Sequence, residues 1–195
     1  MKKLLILFFL PLSLFAQKRD SVRISSPIFT IIYSEILEQP KKIEYTVLCP
    51  NGKASRAGMD FFKNDSVHTS DHDDYVNNIY DKGHLAPAAD FNCTREMLLQ
   101  TFSYLNCVLQ NQNLNRGVWR LLEAEERKLA EKEEVRVTIE IIFDKNPQVL
   151  PTGASVPKAF RKTIYLPAKK AGFVYLFPNE TPSKKLFSEY LERKF

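Results

Sequence analysis

The sequence predicts an α+β fold in which antiparallel sheet layers pack around one long helix. Segments rich in β-branched and aromatic residues occur both before and after a single long amphipathic stretch. They do not alternate with helical segments in the regular way that a doubly wound parallel sheet requires. Composition agrees, since 44% apolar and 12% aromatic residues in a chain of 195 describe a globular protein able to bury one core.

Residues 1–16 begin with Lys2 and Lys3, continue through an apolar stretch broken by Pro11 and Ser13, and end on Ala16 before Gln17. That is the pattern of a bacterial-type secretory signal peptide. Its apolar part, about a dozen residues, is shorter than the roughly twenty needed to span a bilayer as a helix. The expectation is a cleaved leader, a single domain over residues 17–195, a secreted or periplasmic location and no stable membrane association. An uncleaved anchor is the competing reading, because Leu14 is larger than the residue usual three places before a cleavage point.

Residues 27–33 and 43–48 read as neighbouring antiparallel strands joined by a polar turn at residues 39–42. Residues 64–78 hold little to bury and read as a surface loop leading into residues 81–84. Thr94 is an N-cap for a short helix to Gln100, with Met97, Leu98 and Thr101 on its inner side. A long helix starts near Leu114 and ends within residues 131–134. On a 3.6-residue wheel Leu114, Val118, Leu121, Leu122 and Leu129 fall within about 100° and mark its core face. Asn115, Trp119, Glu123 and Glu126 then occupy the adjoining flank. Residues 135–143, 160–166 and 171–177 read as further strands. Thr181 and Pro182 supply the start of a last amphipathic helix carrying Leu186, Phe187, Tyr190 and Leu191.

The formal charge of +5 falls to +3 once Lys2 and Lys3 are removed, a basic excess too small to argue by itself for a polyanionic partner. In an exported chain Cys49, Cys93 and Cys107 leave two arrangements open: three buried thiols, or one disulfide with an orphan. No CxxC spacing suggests structural zinc.

Two separated runs hold the residues that can do chemistry. In Asp81-Lys82-Gly83-His84 the imidazole titrates near neutrality and can accept a proton from water, with Asp81 available to orient it and Gly83 leaving room beside it. The bland alternative is a hydrogen-bonded loop histidine. Asn115, at the first turn of the long helix, is either an N-cap or a neutral oxygen ligand for a hard cation such as Mg2+, which needs only one or two protein donors. Glu123 lies eight residues on, about 12 Å along a helix axis. It is therefore expected to act on ion-bound waters rather than on the ion, or else to be a solvated helix carboxylate. Arg56, Lys82 and Arg116 are cations able to stabilise charge on phosphate oxygens, though each alone is more often a surface charge. His68 and His72, four apart, have a metal-ligand spacing, but their polar setting favours a solvated loop.

Taken together, these runs resemble the DNA/RNA non-specific endonuclease family, whose ββα-metal (His-Me finger) site carries Asp-Arg-Gly-His. The present chain matches three of the four places, with Lys82 standing for the arginine. Gln110, Leu114, Asn115, Gly117, Trp119, Leu122 and Glu123 follow the family's second signature, and Asn106 and Arg56 match two further site positions. A Val-Pro, aromatic, Lys pattern near the end is met by Val156, Pro157, Phe160 and Lys162. The resemblance runs from about residue 33 to residue 179.

It implies a Mg2+ enzyme, with Mn2+ as the alternative ion, that hydrolyses phosphodiester bonds of DNA and RNA to 5′-phosphate ends. His84 would be the general base and Asn115 the metal ligand. Glu123 and Asn106 would position the hydrated ion, and Arg56 and Lys82 would clamp phosphate. Lys82 keeps the charge but replaces a planar fork by a point ammonium, implying weakened or retuned catalysis. Cys107 beside Asn106 suggests redox sensitivity. Rival readings are a secreted nucleic-acid-binding module of the same fold without turnover, a phosphodiesterase for smaller esters, and an exported toxin with a partner inhibitor protein.

Overall fold

Alternating apolar and polar residues build one seven-stranded antiparallel sheet in the computed structural model, which describes residues 17–195. The expected leader, residues 1–16, lies outside the described residues. Among those described, no helix is long and apolar enough to cross a membrane. The strands run β1 (Val22–Ser25), β2 (Phe29–Ser34), β3 (Gln39–Thr46), β6 (Arg136–Ile142), β7 (Ala159–Leu166), β8 (Ala171–Pro178) and β9 (Leu191–Lys194), in that spatial order. A separate two-stranded ribbon joins β4 (Tyr80–His84) to β5 (Cys107–Asn111). The period-2 pattern puts Ile43 and Tyr45, Val137 and Ile139, and Phe160, Lys162 and Ile164 on one face.

Against that face packs a helical segment in three pieces: α2 (Gln112–Leu114), a π-turn (Asn115–Trp119) and α3 (Arg120–Ala130), with the short α1 (Arg95–Gln100) elsewhere. Trp119 is fully buried, edge-on to Phe160 and Phe177 at ring-centroid distances of 5.6 and 5.5 Å. Each such aromatic pair adds about 0.5–1.5 kcal/mol beyond the area it buries.

Beneath Trp119 the core contains charge. Lys162 and Glu126 are both wholly buried with Nζ and Oε1 2.6 Å apart. Their approach lies off the hydrogen-bond direction, so the contact is one of charge. The Lys162 ammonium also sits 4.4 Å from the Trp119 ring, and the Tyr45 hydroxyl donates to Glu126 Oε2 at 3.0 Å. Next along the helix, Arg127 donates to the buried Asp90 at 2.8 Å. Isolated buried ions cost several kcal/mol each, so the arrangement survives only because each has a partner.

Several sequence expectations are corrected here. The first turn is at residues 35–38, where Glu38 has φ 53°, and residues 39–42 already belong to β3. Pro40 is accommodated at the β2–β3 register shift. The run at 81–84 is strand, not loop. The helix wheel fails because Gly117 leaves helical geometry (φ −99°, ψ −119°) and the π-turn inserts a residue. Trp119 and Glu126 are thereby turned inward, and Leu121 is left 40% exposed. The final amphipathic helix is absent: Phe187–Tyr190 is a single 3-10 turn leading into β9. Phe187 and Tyr190 pack on β8, with Tyr190 4.8 Å from Phe177, while Leu186 is left exposed.

The cysteine ambiguity resolves as a Cys49–Cys93 disulfide with Cys107 a buried free thiol. Burial pushes the Cys107 thiol well above its usual range, which makes it inert and removes the expected redox sensitivity at that residue.

Lys162→Met strands the Glu126 carboxylate and is expected to cost about 3–5 kcal/mol, lowering the melting temperature by about 10 °C. The double variant Lys162→Met/Glu126→Leu should recover most of that loss. Thermal unfolding of the three proteins checks it; a single variant as stable as wild type would show that the pair is not a buried charge contact.

Candidate active site

The ribbon β4–β5 and the π-turn are brought together by one carboxylate. Asp81 Oδ2 accepts from Asn115 Nδ2 at 2.9 Å and from Arg116 Nε at 2.9 Å, while Oδ1 accepts from Arg116 Nη2 at 2.6 Å. Because a carboxylate can only accept, this contact commits the Asn115 amide nitrogen and leaves its carbonyl oxygen for another use. Asp81 therefore orients Asn115 and not, as the sequence suggested, His84. Nor is Asn115 a cap: that role falls to Asn111, whose Oδ1 accepts from the Asn113 and Leu114 amides at 3.0 and 3.3 Å.

On the same ribbon Gly83 is required by close packing, since a Cβ there would lie 2.6 Å from Gln110 Oε1 and 3.2 Å from Val108 O. One residue on, His84 is half-buried between Phe61 and Phe102, at centroid distances of 4.7 and 4.9 Å. Its Nε2 is enclosed without a hydrogen-bond partner. Burial first, and the Arg56 charge second, push the imidazole down to about 3. At neutral pH it is uncharged and holds a lone pair able to take a proton.

A cleft of about 720 Å³ collects His84, Asn115, Glu123, Arg56 and Lys82 on its walls, five of the six residues to which the resemblance gives a role. Asn106 is the exception. It is fully buried, its Oδ1 accepting from Ala86 N at 2.8 Å and its Nδ2 donating to the Ala86 and Thr101 carbonyls at 2.9 Å each. Its amide pins the backbone two residues past His84 and is not free to position an ion.

Glu123 is half-buried in the wall formed by α3. Burial pushes its carboxyl up to about 8; Lys162 opposes the shift and Glu126 and Asp90 add to it. Solvent reaching the open side of the cleft screens these effects. Arg56 is exposed on an irregular segment held by several ties: the Cys49–Cys93 disulfide, Ala54 N donating to Asn92 O at 2.9 Å, and Arg95 donating to Ser55 O at 3.2 Å. Lys82 lies between Asp60 (3.2 Å) and His72 Nδ1 (3.3 Å), its ammonium 5.6 Å from the Phe61 ring and 5.4 Å from that of Tyr104.

His68 and His72 do not converge on a metal. His68 Nε2 lies 2.7 Å from Glu38 Oε1, while His72 faces Lys82. Among the described residues no group of three or more His, Cys, Asp or Glu could hold an ion. A hydrated hard cation on an amide oxygen needs no such group.

Sequence reasoning missed Asp60, Phe61, Phe102, Arg120 and Arg127, all of which line the cleft. For Arg120 and Arg127 a signal existed: Arg116, Arg120, Glu123 and Arg127 repeat at spacings of 4, 3 and 4 and form one helix stripe. The aromatic pair around His84 comes from distant segments and leaves no local trace.

A two-stranded antiparallel ribbon bearing a histidine, followed by a helix bearing an asparagine, is the ββα-metal nuclease fold. The chain belongs to the DNA/RNA non-specific endonuclease family, whose profile matches residues 15–192. It is 36% identical over 84 residues to the mitochondrial nuclease EXOG of Danio rerio, covering 42% of this chain and 24% of that protein. Against mitochondrial endonuclease G of Bos taurus it is 35% identical over 81 residues (40% and 27%). The nuclease of Serratia marcescens is 28% identical over 120 residues (56% and 44%). The matched segments thus span less than half of each of these relatives. Among solved structures, an EndoG/EndoGI complex contains a chain that superposes with a TM-score of 0.77 at 23% identity, covering 88% of this chain and 80% of that one.

The depressed pKa of His84 makes stability depend on pH. Between about 3 and the ordinary 6.5 the unfolded chain binds a proton that the folded chain refuses. The contribution is present above pH 6.5 and lost as pH falls toward 3. Urea unfolding should show wild type losing stability relative to His84→Phe across that interval, by at most about 1.4 kcal/mol per pH unit. A pH-independent difference would mean that the imidazole is not held neutral.

Proposed function

We propose that this protein is a divalent-metal endonuclease that hydrolyses phosphodiester bonds of DNA and RNA without strong sequence preference, and that it works outside the cytoplasm after loss of residues 1–16. One observation carries the reading. His84 and Asn115, contributed by separate motifs on separate elements, open onto the same cationic cleft. The Cys49–Cys93 disulfide supports an oxidising compartment.

The residues present fit a hard cation such as Mg2+ or Mn2+: Asp81 commits the Asn115 nitrogen and leaves the oxygen as a donor. When bound, such an ion supplies positive charge to the phosphate oxygens. The neutral His84 accepts a proton from water as that water's oxygen bonds to phosphorus, while the bond from phosphorus to the 3′ oxygen breaks. The 5′-phosphate stays on one product and the departing oxygen is protonated by solvent. Arg56 and Lys82 bind phosphate oxygens as negative charge accumulates. Glu123 accepts hydrogen bonds from waters in the cleft when ionised. These contacts address the backbone and not base edges, so sequence and sugar are weakly discriminated.

The purified protein should nick plasmid DNA and degrade RNA with Mg2+ and stop in EDTA. His84→Ala should lose at least about a hundredfold in rate, and Asn115→Ala should be inactive until the ion is raised to much higher concentration. Undiminished cleavage by His84→Ala would remove it as the base. Salt-sensitive binding of nucleic acid by wild type without cleavage would establish the binding-module alternative instead.

A further inference from the structure

The cleft wall formed by the π-turn and α3 carries three guanidinium groups, and they are not equivalent. Asp81 holds Arg116 through two contacts at 2.6 and 2.9 Å, and Asp90 holds Arg127 at 2.8 Å. Arg120 lies between them in the same stripe, is exposed, lines the cleft, and has no carboxylate partner among the described residues. Among the described residues its side chain makes one hydrogen bond, Nε donating to the Arg116 carbonyl at 3.1 Å. That bond fixes the arm but spares the two Nη groups, whose donors match two oxygens of one phosphate. The carbonyl belongs to the π-turn, where the regular helical pattern is interrupted.

Position then decides what Arg120 can reach. It follows Asn115 by five residues and precedes Arg127 by about two turns, some 10.5 Å along α3. Arg56 and Lys82 line the same cleft as His84 and Asn115 and are the cations assigned above to the phosphate under attack. Arg120 stands five residues past Asn115, roughly 7 Å farther along the helical segment, a separation that suits the neighbouring phosphate of a strand. A solvated surface arginine is the ordinary alternative; what sets Arg120 apart is that it lines the cleft without the carboxylate that holds each of its two neighbours in the stripe.

We infer that Arg120 grips a phosphate adjacent to the scissile one, so that the cleft selects strands with consecutive phosphodiesters over isolated esters. This rests on the hydrolytic reading above and adds to it a residue that separates strands from single esters.

The test compares wild type, Arg120→Ala, Arg120→Lys and the remote exposed cation variant Arg23→Ala on long RNA and on bis(4-nitrophenyl) phosphate, a diester with a single phosphate, across a range of salt. Arg120→Ala should raise KM for RNA about tenfold with kcat within about twofold, and should make the salt dependence shallower by about one charge. Its loss on the small diester should be at least about fivefold smaller. Arg120→Lys should regain the salt dependence but only part of the affinity, because an ammonium cannot fork, and Arg23→Ala should match wild type. Unchanged KM and salt dependence in Arg120→Ala, equal losses on both substrates, or an equal effect from Arg23→Ala would each overturn the assignment. If wild type cleaves neither substrate, the hydrolytic reading fails; RNA binding measured in EDTA then still judges Arg120, and an unaltered salt dependence there overturns it.

Discussion

A lysine and a glutamate buried together beneath a tryptophan set the position of nearly everything else. Lys162 comes from the sheet and Glu126 from α3, so their contact fixes the rotation of the helix against β7 as well as its distance. Glu123 lies one turn before Glu126, and Arg127 follows it directly. An apolar contact would tolerate sliding; two charges with no water to turn to do not. The stripe of polar residues facing the cleft thus inherits its placement from an interaction on the adjoining, buried face of the helix.

The second constraint is the clamp of Asp81 on Asn115. A strand residue reaches across to a helix residue and thereby couples the ribbon that carries His84 to the π-turn. Orientation comes from chemistry: the carboxylate takes the amide's nitrogen, and the oxygen is what remains. Asn106 does comparable work on the protein side, holding the backbone just past His84 so that the imidazole leaves the strand at a defined angle. Two half-buried groups of the site are thus held in different ways: Asn115 by the Asp81 carboxylate, His84 by two aromatic rings and by the backbone that Asn106 pins.

Much of this was legible in the sequence, and the failures have identifiable causes. Alternation predicted β2, β6, β7 and β8, and Thr94 was readable as a cap because its side chain does cap Met97, at 3.2 Å. Residues on the cleft were legible because two distinctive local runs each carry one. A continuous helix puts Trp119 and Glu126 on the flank beside the core face, and a wheel has no way to represent an inserted residue that turns them inward. Glu126 was hidden for a further reason: a buried carboxylate looks like a surface one until its lysine, 36 residues later, is known to face it. The tail misled because amphipathic spacing over one turn fits a 3-10 turn followed by a strand as well as it fits a helix. Asn106 was found by resemblance, but its work could be read only from its partners.

The wall bearing Arg56 has no sheet or helix to stiffen it. Its backbone leaves β3, passes Cys49, and is tied back to residues 92–95 by a covalent bond and a few hydrogen bonds. Chain entropy that a strand would have absorbed through a ladder is here restrained by a sulfur bridge. The width of the cleft mouth is consequently coupled to the thiol chemistry of the surroundings. The same polypeptide made among strong reductants would keep its sheet and its imidazole yet lose the tether on one jaw.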